Sequence, residues 1–269
     1  MEKLKSSLYQ AELKKIHKVI AETPKNHKLC SKCQDRGIII VDNAAVQCSC
    51  VKHRNLYKKL KYANMTKEMQ CYNFAKFNFD YYSQTLIDTL SNRYSYRQLA
   101  ELALNAAKKF VEDIIQAKEN TGLLLSGPVG SGKTFLAGCI ANELIEQQME
   151  VLFVVVPDLL DEIKETYNKN GEFTEVQLMQ KLREAEILIL DDLGVHNYTT
   201  WTQNKLYSIV NYRLNNKLPT IITSNLSLAE IEEVLGERTT SRIIQLCKVY
   251  RLLVEKDIRH VKYLNINKG

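Results

Sequence analysis

With 269 residues, 45% of them apolar and 25% charged, the chain has ordinary globular composition and room for one α/β domain plus a small appendage, which excludes extensive disorder. The net charge of +6 is uneven, since residues 1–75 hold 15 Lys+Arg against 6 Asp+Glu and the remainder 22 against 25. A basic front on a near-neutral body suits an acidic partner, nucleic acid or an acidic protein face, and a solvated lysine-rich surface gives the same count.

The opening MEKLKSSLYQAELKK lacks the apolar core and cleavage site of a signal peptide. No run along the chain reaches the ~20 apolar residues of a membrane helix, so a cytoplasmic protein without membrane contact is expected. Leu4, Leu8, Ile16, Val19 and Ile20 recur at helical spacing and predict an amphipathic helix over residues 3–21, ended by Pro24 and PKNHK. Four of the seven cysteines then cluster as C-x2-C, fourteen residues, C-x-C: Cys30, Cys33, Cys48 and Cys50. Two close pairs at that separation fit a zinc ribbon with tetrahedral thiolate ligation. The second pair is tighter than usual, His27 or His53 can replace one ligand, and an iron–sulfur cluster is the rival chemistry. A module this short buries too little apolar surface to hold itself, whereas structural zinc supplies ~10 to 16 kcal/mol. Cys71, Cys139 and Cys247 stand apart and read as packed thiols. A second basic helical stretch, VKHRNLYKKLKYA, leads to the aromatic linker CYNFAKFNFDYY, placing a boundary near residue 75 and domains at 1–75 and 76–269.

Beyond it, helix and strand patterns alternate, as in a mostly parallel sheet flanked by helices. A helix at about 93–118 precedes the strand TGLLLSG, and a second helix runs through Gln148. The strand VLFVVV follows, with Pro157 at the start of the next helix. Thr174 with Gln177 makes a capping box before the helix that leads to ILILDD, and Thr200 with Gln203 makes another for a helix ending before Pro219. PTIITSN is the last predicted strand, and Ser227 with Glu230 caps the helix after it.

GPVGSGKT, from Gly127 through Pro128, Val129, Gly130, Ser131, Gly132 and Lys133 to Thr134, matches G-x-x-x-x-G-K-T between a predicted strand and helix. Such glycines let backbone N–H groups close around phosphate oxygens, with the helix dipole behind them. The loop and Phe135 are therefore expected to hold ATP, with Lys133 on the β and γ phosphates and the Thr134 hydroxyl on Mg²⁺. ILILDDLG delivers Asp191 and Asp192 to the sheet's C-terminal edge, Asp191 for the Mg²⁺ shell and Asp192 to polarise the attacking water. Asp192 is one methylene shorter than the glutamate many such ATPases carry, so slow turnover is expected. For Asn225 two readings stand, orientation of that water and turn chemistry before Ser227.

The phosphate loop, DDLG, TSN and GERTTSRI, in this order over residues 76–269, resemble the AAA+ ATPases, and more closely the helicase loaders of the DnaC and DnaI type. The IstB-type transposition helper ATPases share much of this core. The resemblance implies an AAA+ P-loop domain that hydrolyses ATP and self-associates, with Arg242 reaching the γ phosphate of the neighbouring subunit and Arg251 or Arg259 acting as a second sensor. Arg238 reads as a surface ion pair with Glu232, Glu233 or Glu237. The resemblance further implies that the front end grips a hexameric replicative helicase of the DnaB type. It places single-stranded DNA at Tyr167, Thr199 and Trp201, near Lys164 and Lys169. A non-hydrolysing ATP-binding adaptor is the reading from another class.

Overall fold

The computed structural model of the chain describes residues 30, 32–33, 37–41, 44–48, 65–118, 121–165, 175–195 and 198–266. The predicted helix over 3–21, the stretch VKHRNLYKKLKYA, and His27, Cys50, His53, Tyr167, Lys169 and Thr174 lie outside them. The chain divides into two compact units, Met1–Asn55 and Leu56–Gly269.

In the first unit β1 (Ile38–Val41) and β2 (Ala44–Gln47) pair antiparallel, Ile38 opposite Gln47 and Val41 opposite Ala44. The hairpin returns Cys48 to the side of Cys30 and Cys33, so the two ends of the cysteine pattern meet.

The second unit is built on β3 (Gly122–Ser126), β4 (Val151–Val155), β5 (Ile187–Leu193), β6 (Thr220–Ser224) and β7 (Cys247–Arg251), all parallel in the order β4-β5-β6-β3-β7. Around them run α1 (Tyr96–Ile115), α2 (Lys133–Glu146), α3 (Val156–Glu165), α4 (Glu175–Glu184), α5 (Thr200–Asn215), α6 (Leu228–Leu235), α7 (Glu237–Leu246) and α8 (Ile258–Ile266). Because helices cover both faces, β3 and β6 are buried at every position, with apolar centres at Leu123–Leu125 and Ile221–Ile222. The two faces still follow the strand period: Leu124, Leu190 and Ile222 pack with Leu160 and Ile243, and Leu123, Ile189 and Ile221 pack with Phe110 and Ile140. Among the described residues no helix is long and apolar enough to cross a membrane.

Helix starts follow their caps. Ser95–Gln98 and Ser227–Glu230 form reciprocal boxes at the heads of α1 and α6. The box expected at Thr200–Gln203 does not form. Thr199 caps α5 instead, accepting from Thr202 N, because the Gln203 amide is drawn to Val234 O, a carbonyl left unpaired at the end of α6 (2.7 Å).

Arg213, on α5 and fully buried, ties three elements together. It donates to Thr220 Oγ1 (2.8 Å) and Pro219 O (2.6 Å) at the start of β6, and to Leu182, Arg183 and Ala185 carbonyls at the end of α4. Burial pushes its pKa down to about 10, so it remains a cation held by neutral acceptors.

The predicted boundary at 75 falls inside a stretch that packs on the second unit as one piece. Residues 65–82 run through three short 3₁₀ turns, Met69–Cys71, Phe74–Lys76 and Phe79–Tyr81. Met65 and Met69 join the core face of Phe110 and Ile140, and Tyr82 joins Leu125 and Leu136. Asn142 on α2 spends both amide hydrogens here, on Met69 O (2.8 Å) and Tyr72 O (2.7 Å).

Candidate nucleotide-binding site

Three strand ends meet at the C-terminal edge of the sheet, β3 at Gly127, β5 at Asp191 and Asp192, and β6 at Asn225. That edge is where open α/β sheets bind ligands. The base of the loop is pinned on both sides, Gly127 N to Ser224 O (3.2 Å) and Leu252 N to Ser126 O (2.8 Å). A Cβ on Gly127, at φ +148, would lie 1.9 Å from Leu252 O, which is why the position takes glycine.

Helix α2 opens at Lys133 with no side-chain cap, so its first N–H groups and its dipole are left for an anion. The Lys133 ammonium folds back on the loop, donating to Gly127 O and Pro128 O (2.8 Å each) and to Ser131 Oγ (3.4 Å). Burial pushes its pKa down to about 8, against the opposing charges of Asp192 and Asp191, so the cation is the main form at neutral pH. Carbonyls are weaker partners for it than a phosphate oxygen, and exchanging them for a phosphate is favourable.

Thr134 Oγ1 donates to both oxygens of the buried Asp191 carboxylate (3.0 and 3.1 Å), which also accepts from Thr223 Oγ1 (2.6 Å). Burial pushes the Asp191 carboxyl up to about 6, with the Thr223 hydrogen bond opposing. A hydroxyl and a carboxylate in contact are a hard oxygen set that fits Mg²⁺, and a cation there would relieve the buried charge.

Successive strand side chains point to opposite faces, yet Asp191 meets Thr134 of the loop and its neighbour Asp192 lines the cavity beside that loop. A bulge reconciles the two: the register shifts between Leu190 and Leu193, and Asp192 takes φ +57, with its N–H on Thr223 Oγ1 (3.0 Å). For a non-glycine residue that conformation costs roughly 1 kcal/mol. Asn225 Nδ2 sits 3.5 Å from Asp192 Oδ1, so the two polar heads share one corner of the cavity.

The cavity measures about 620 Å³ and is lined by Val129 to Phe135, Asp192, Asn225, an aromatic wall from residues 65–82, and Arg259 on α8. Gly127 and Pro128 lie beneath it and meet Lys133 instead. Tyr72 leans on Phe135 with ring centroids 4.7 Å apart. Of the two arginines expected as a second sensor, Arg259 faces the cavity and its charge acts on Lys133, whereas Arg251 at the end of β7 is ion-paired with buried Asp88.

Arg238 and Arg242 are outside the cavity lining, on α7. Among the described residues neither is ion-paired to Glu232, Glu233 or Glu237. Both converge on the Tyr207 phenol of α5, whose pKa is lowered by hydrogen bonds from Arg242 and Arg238, and Arg238 stacks on that ring at 5.1 Å. Arg242 also donates to Gln245 Oε1 (3.1 Å). Of the residues expected at DNA, Thr199 is the α5 cap, Trp201 is half-buried against the main core with the Lys205 ammonium 5.3 Å from its ring, and Lys164 pairs with Asp161 (3.0 Å).

In the first unit the Sγ atoms of Cys30, Cys33 and Cys48 all lie within 4.8 Å of one another, and Cys30 to Cys48 is 3.7 Å. Zinc–sulfur bonds of ~2.3 Å in a tetrahedron set sulfurs roughly 3.8 Å apart, so the three thiols fit a zinc centre. Cys33 also accepts from Gly37 N (3.4 Å), the kind of N–H···S contact that orients a ligand.

Sequence reasoning missed the bulge, the Tyr207 clamp and the aromatic wall. The wall did leave a signal in CYNFAKFNFDYY, where aromatic density too high for a linker marks a buried surface.

A loop pinned between parallel strands, opening a helix and facing a strand-borne acid, defines the P-loop nucleotide-binding class, and the fold is of the AAA+ kind. Within that class the chain belongs to the family described as IstB-like ATP binding protein, whose pattern matches residues 49–251. It is 31% identical over 150 residues to the replicative helicase loader DnaC of Escherichia coli (strain K12), a match covering 55% of this chain and 61% of DnaC, less than two thirds of that protein. It is 25% identical over 276 residues to the replicative helicase loader DnaI of Bacillus subtilis (strain 168), covering 93% of this chain and 84% of DnaI. A crystal structure of DnaI superposes with a TM-score of 0.56 at 25% identity, over 72% of this chain and 94% of that one.

Proposed function

We propose that the chain is an ATP-dependent loader that sets a hexameric, DnaB-type replicative helicase on single-stranded DNA during replication initiation. The observation that carries the reading is the similarity to DnaI along 93% of the chain, front end included, and not through the ATPase core alone. In this reading the residues ahead of Leu56 grip the helicase, with zinc on Cys30, Cys33, Cys48 and Cys50 as a structural staple, and the unit from Leu56 onward forms the ATPase that works in the cytoplasm.

The nucleotide site supports hydrolysis between subunits. Lys133 leaves its loop carbonyls for the β and γ phosphates, and the Gly130 to Thr134 backbone cradles them. Mg²⁺, held by Thr134 and Asp191, neutralises phosphate charge when bound. Asp192 and Asn225, together in one corner, orient the attacking water, and Asp192 takes its proton. Arg242 of a neighbouring copy stabilises charge on the transferred phosphoryl, and Arg259 senses the nucleotide from the same chain. The short Asp192 side chain keeps turnover slow, as befits a switch. Single-stranded DNA runs past Tyr167, Thr199 and Trp201.

The test is to mix the chain with candidate hexameric helicases, measure the mass of the complex, and follow ATP-dependent transfer of the helicase to a closed single-stranded circle. A stable complex and transfer that stops in Lys133→Ala are expected. No complex with any helicase, but capture of a transposase, would instead favour the transposition-helper reading. Loading without hydrolysis would favour the adaptor.

A further inference from the structure

Tyr82 belongs to none of the nucleotide motifs. It lies in the aromatic stretch that reads as a linker, yet it is only 3% exposed and its Oη donates to Ser131 O in the phosphate loop at 2.8 Å. Its ring is fixed from every side, stacked on Phe77 with centroids 5.4 Å apart and planes 14° apart, and packed with Leu125, Leu136 and Leu252. Burial raises the phenol's pKa well above its ordinary value, which keeps it a donor at any working pH.

The acceptor gives this bond its consequence. Ser131 C=O and Gly132 N–H are the two ends of one trans peptide, and in a planar peptide they point in opposite directions. Holding the oxygen against Tyr82 therefore aims the Gly132 N–H away from Tyr82. Among the described residues that N–H has no backbone acceptor, and it stands at the cap position of α2. Gly132 itself is at φ +95, and a Cβ there would lie 2.9 Å from Tyr82 Oη, so the phenol is seated directly against the loop. A glycine peptide without such an anchor has wide rotational freedom.

We infer that Tyr82 is a positioning residue for the phosphate loop: its phenol fixes the Ser131–Gly132 peptide so that the Gly132 N–H is presented to the phosphate chain of the bound nucleotide. This rests on the reading of the loop as an ATP site. Tyr82 also makes the stretch 65–82 part of the site's mechanics, since that stretch is bolted to α2 by Asn142 near its other end. Phosphate binding and the seating of this stretch then reinforce one another.

The test uses the full chain with Tyr82→Phe, which keeps the ring and loses the donor. Binding of Mg·ATP and of inorganic tripolyphosphate is measured by calorimetry, alongside melting of the ligand-free protein. Both affinities should fall about tenfold, and the ligand-free Tm should fall as well, because the buried bond is already made before any ligand binds. Leu178→Ala, a cut in the core on the other face of the sheet, away from the loop and from residues 65–82, should lower the Tm and spare both affinities. Unchanged affinity in Tyr82→Phe, or a loss for ATP that spares tripolyphosphate, would overturn the role. A wild-type chain that binds neither ligand would overturn the ATP reading, and this role with it.

Discussion

Two arginines share one phenol on the outside of the ATPase unit, and their arrangement separates two kinds of charge. A surface ion pair is worth ~0 to 1 kcal/mol and leaves little trace when removed. A cation delivered to a transferring phosphoryl is worth ~10³ to 10⁵ in rate. Arg242 lies away from its own chain's cavity and is held by Tyr207 and Gln245, a placement that suits delivery to another copy. Arg242→Ala should therefore lower the ATPase rate of the assembled protein by about 10³ while leaving ATP affinity intact. Mixing it with Lys133→Ala should recover part of the rate, because one copy then supplies the loop and the other the arginine. Equal rates in wild type and Arg242→Ala, at every protein concentration, would remove the arginine from the mechanism.

At the scale of elements, the seam between α4, α5 and β6 depends on a single buried cation. Arg213 satisfies the carbonyls at the end of α4 and at Pro219, groups that packing covers partly or wholly. Arg213→Met removes a desolvated charge, a gain, and strands several acceptors, a larger loss. The expected result is destabilisation by about 3 kcal/mol in urea unfolding, with Arg213→Lys recovering only part, since an ammonium cannot span acceptors on three elements. A loss below about 1 kcal/mol would mean that the carbonyls find other partners.

The elements that could be read in the chain were those whose chemistry is local. TGLLLSG, VLFVVV, ILILDD and PTIITSN announce themselves because burial on both faces demands an apolar centre in each, and the phosphate loop because its glycines are needed by backbone geometry. Strand β7 escaped notice because it pairs on one side only, with β3, and its residues 248–251, Lys-Val-Tyr-Arg, are not buried. The cap of α5 was misplaced by one residue because either threonine can cap a helix and Gln203 points to Thr200, until the distant Val234 carbonyl takes the Gln203 amide. The meeting of Asp191 with Asp192 depends on a bulge that strand periodicity cannot foresee.

At the scale of the whole molecule, the two units obey different rules of stability. The described part of the first has a hairpin of two four-residue strands beside three converging thiols, and the second has continuous packing on both faces of its sheet. In the zinc reading proposed above, a front end of that kind depends on the metal more than on buried area.

The hold of Asn142 on Met69 and Tyr72 bears on how such chains are cut and recombined. A fragment that begins at residue 76 would strand that amide and bare the Ile140–Leu144 side of α2, and should come out as aggregate. A fragment that begins at Leu56 should stay soluble and retain ATP affinity. Identical solubility of the two by light scattering would mean that the stretch merely rests on its helix. If the difference appears, an exchange of front ends among relatives belongs ahead of Leu56, because a splice at 75 would divide the packed stretch 65–82 between two proteins.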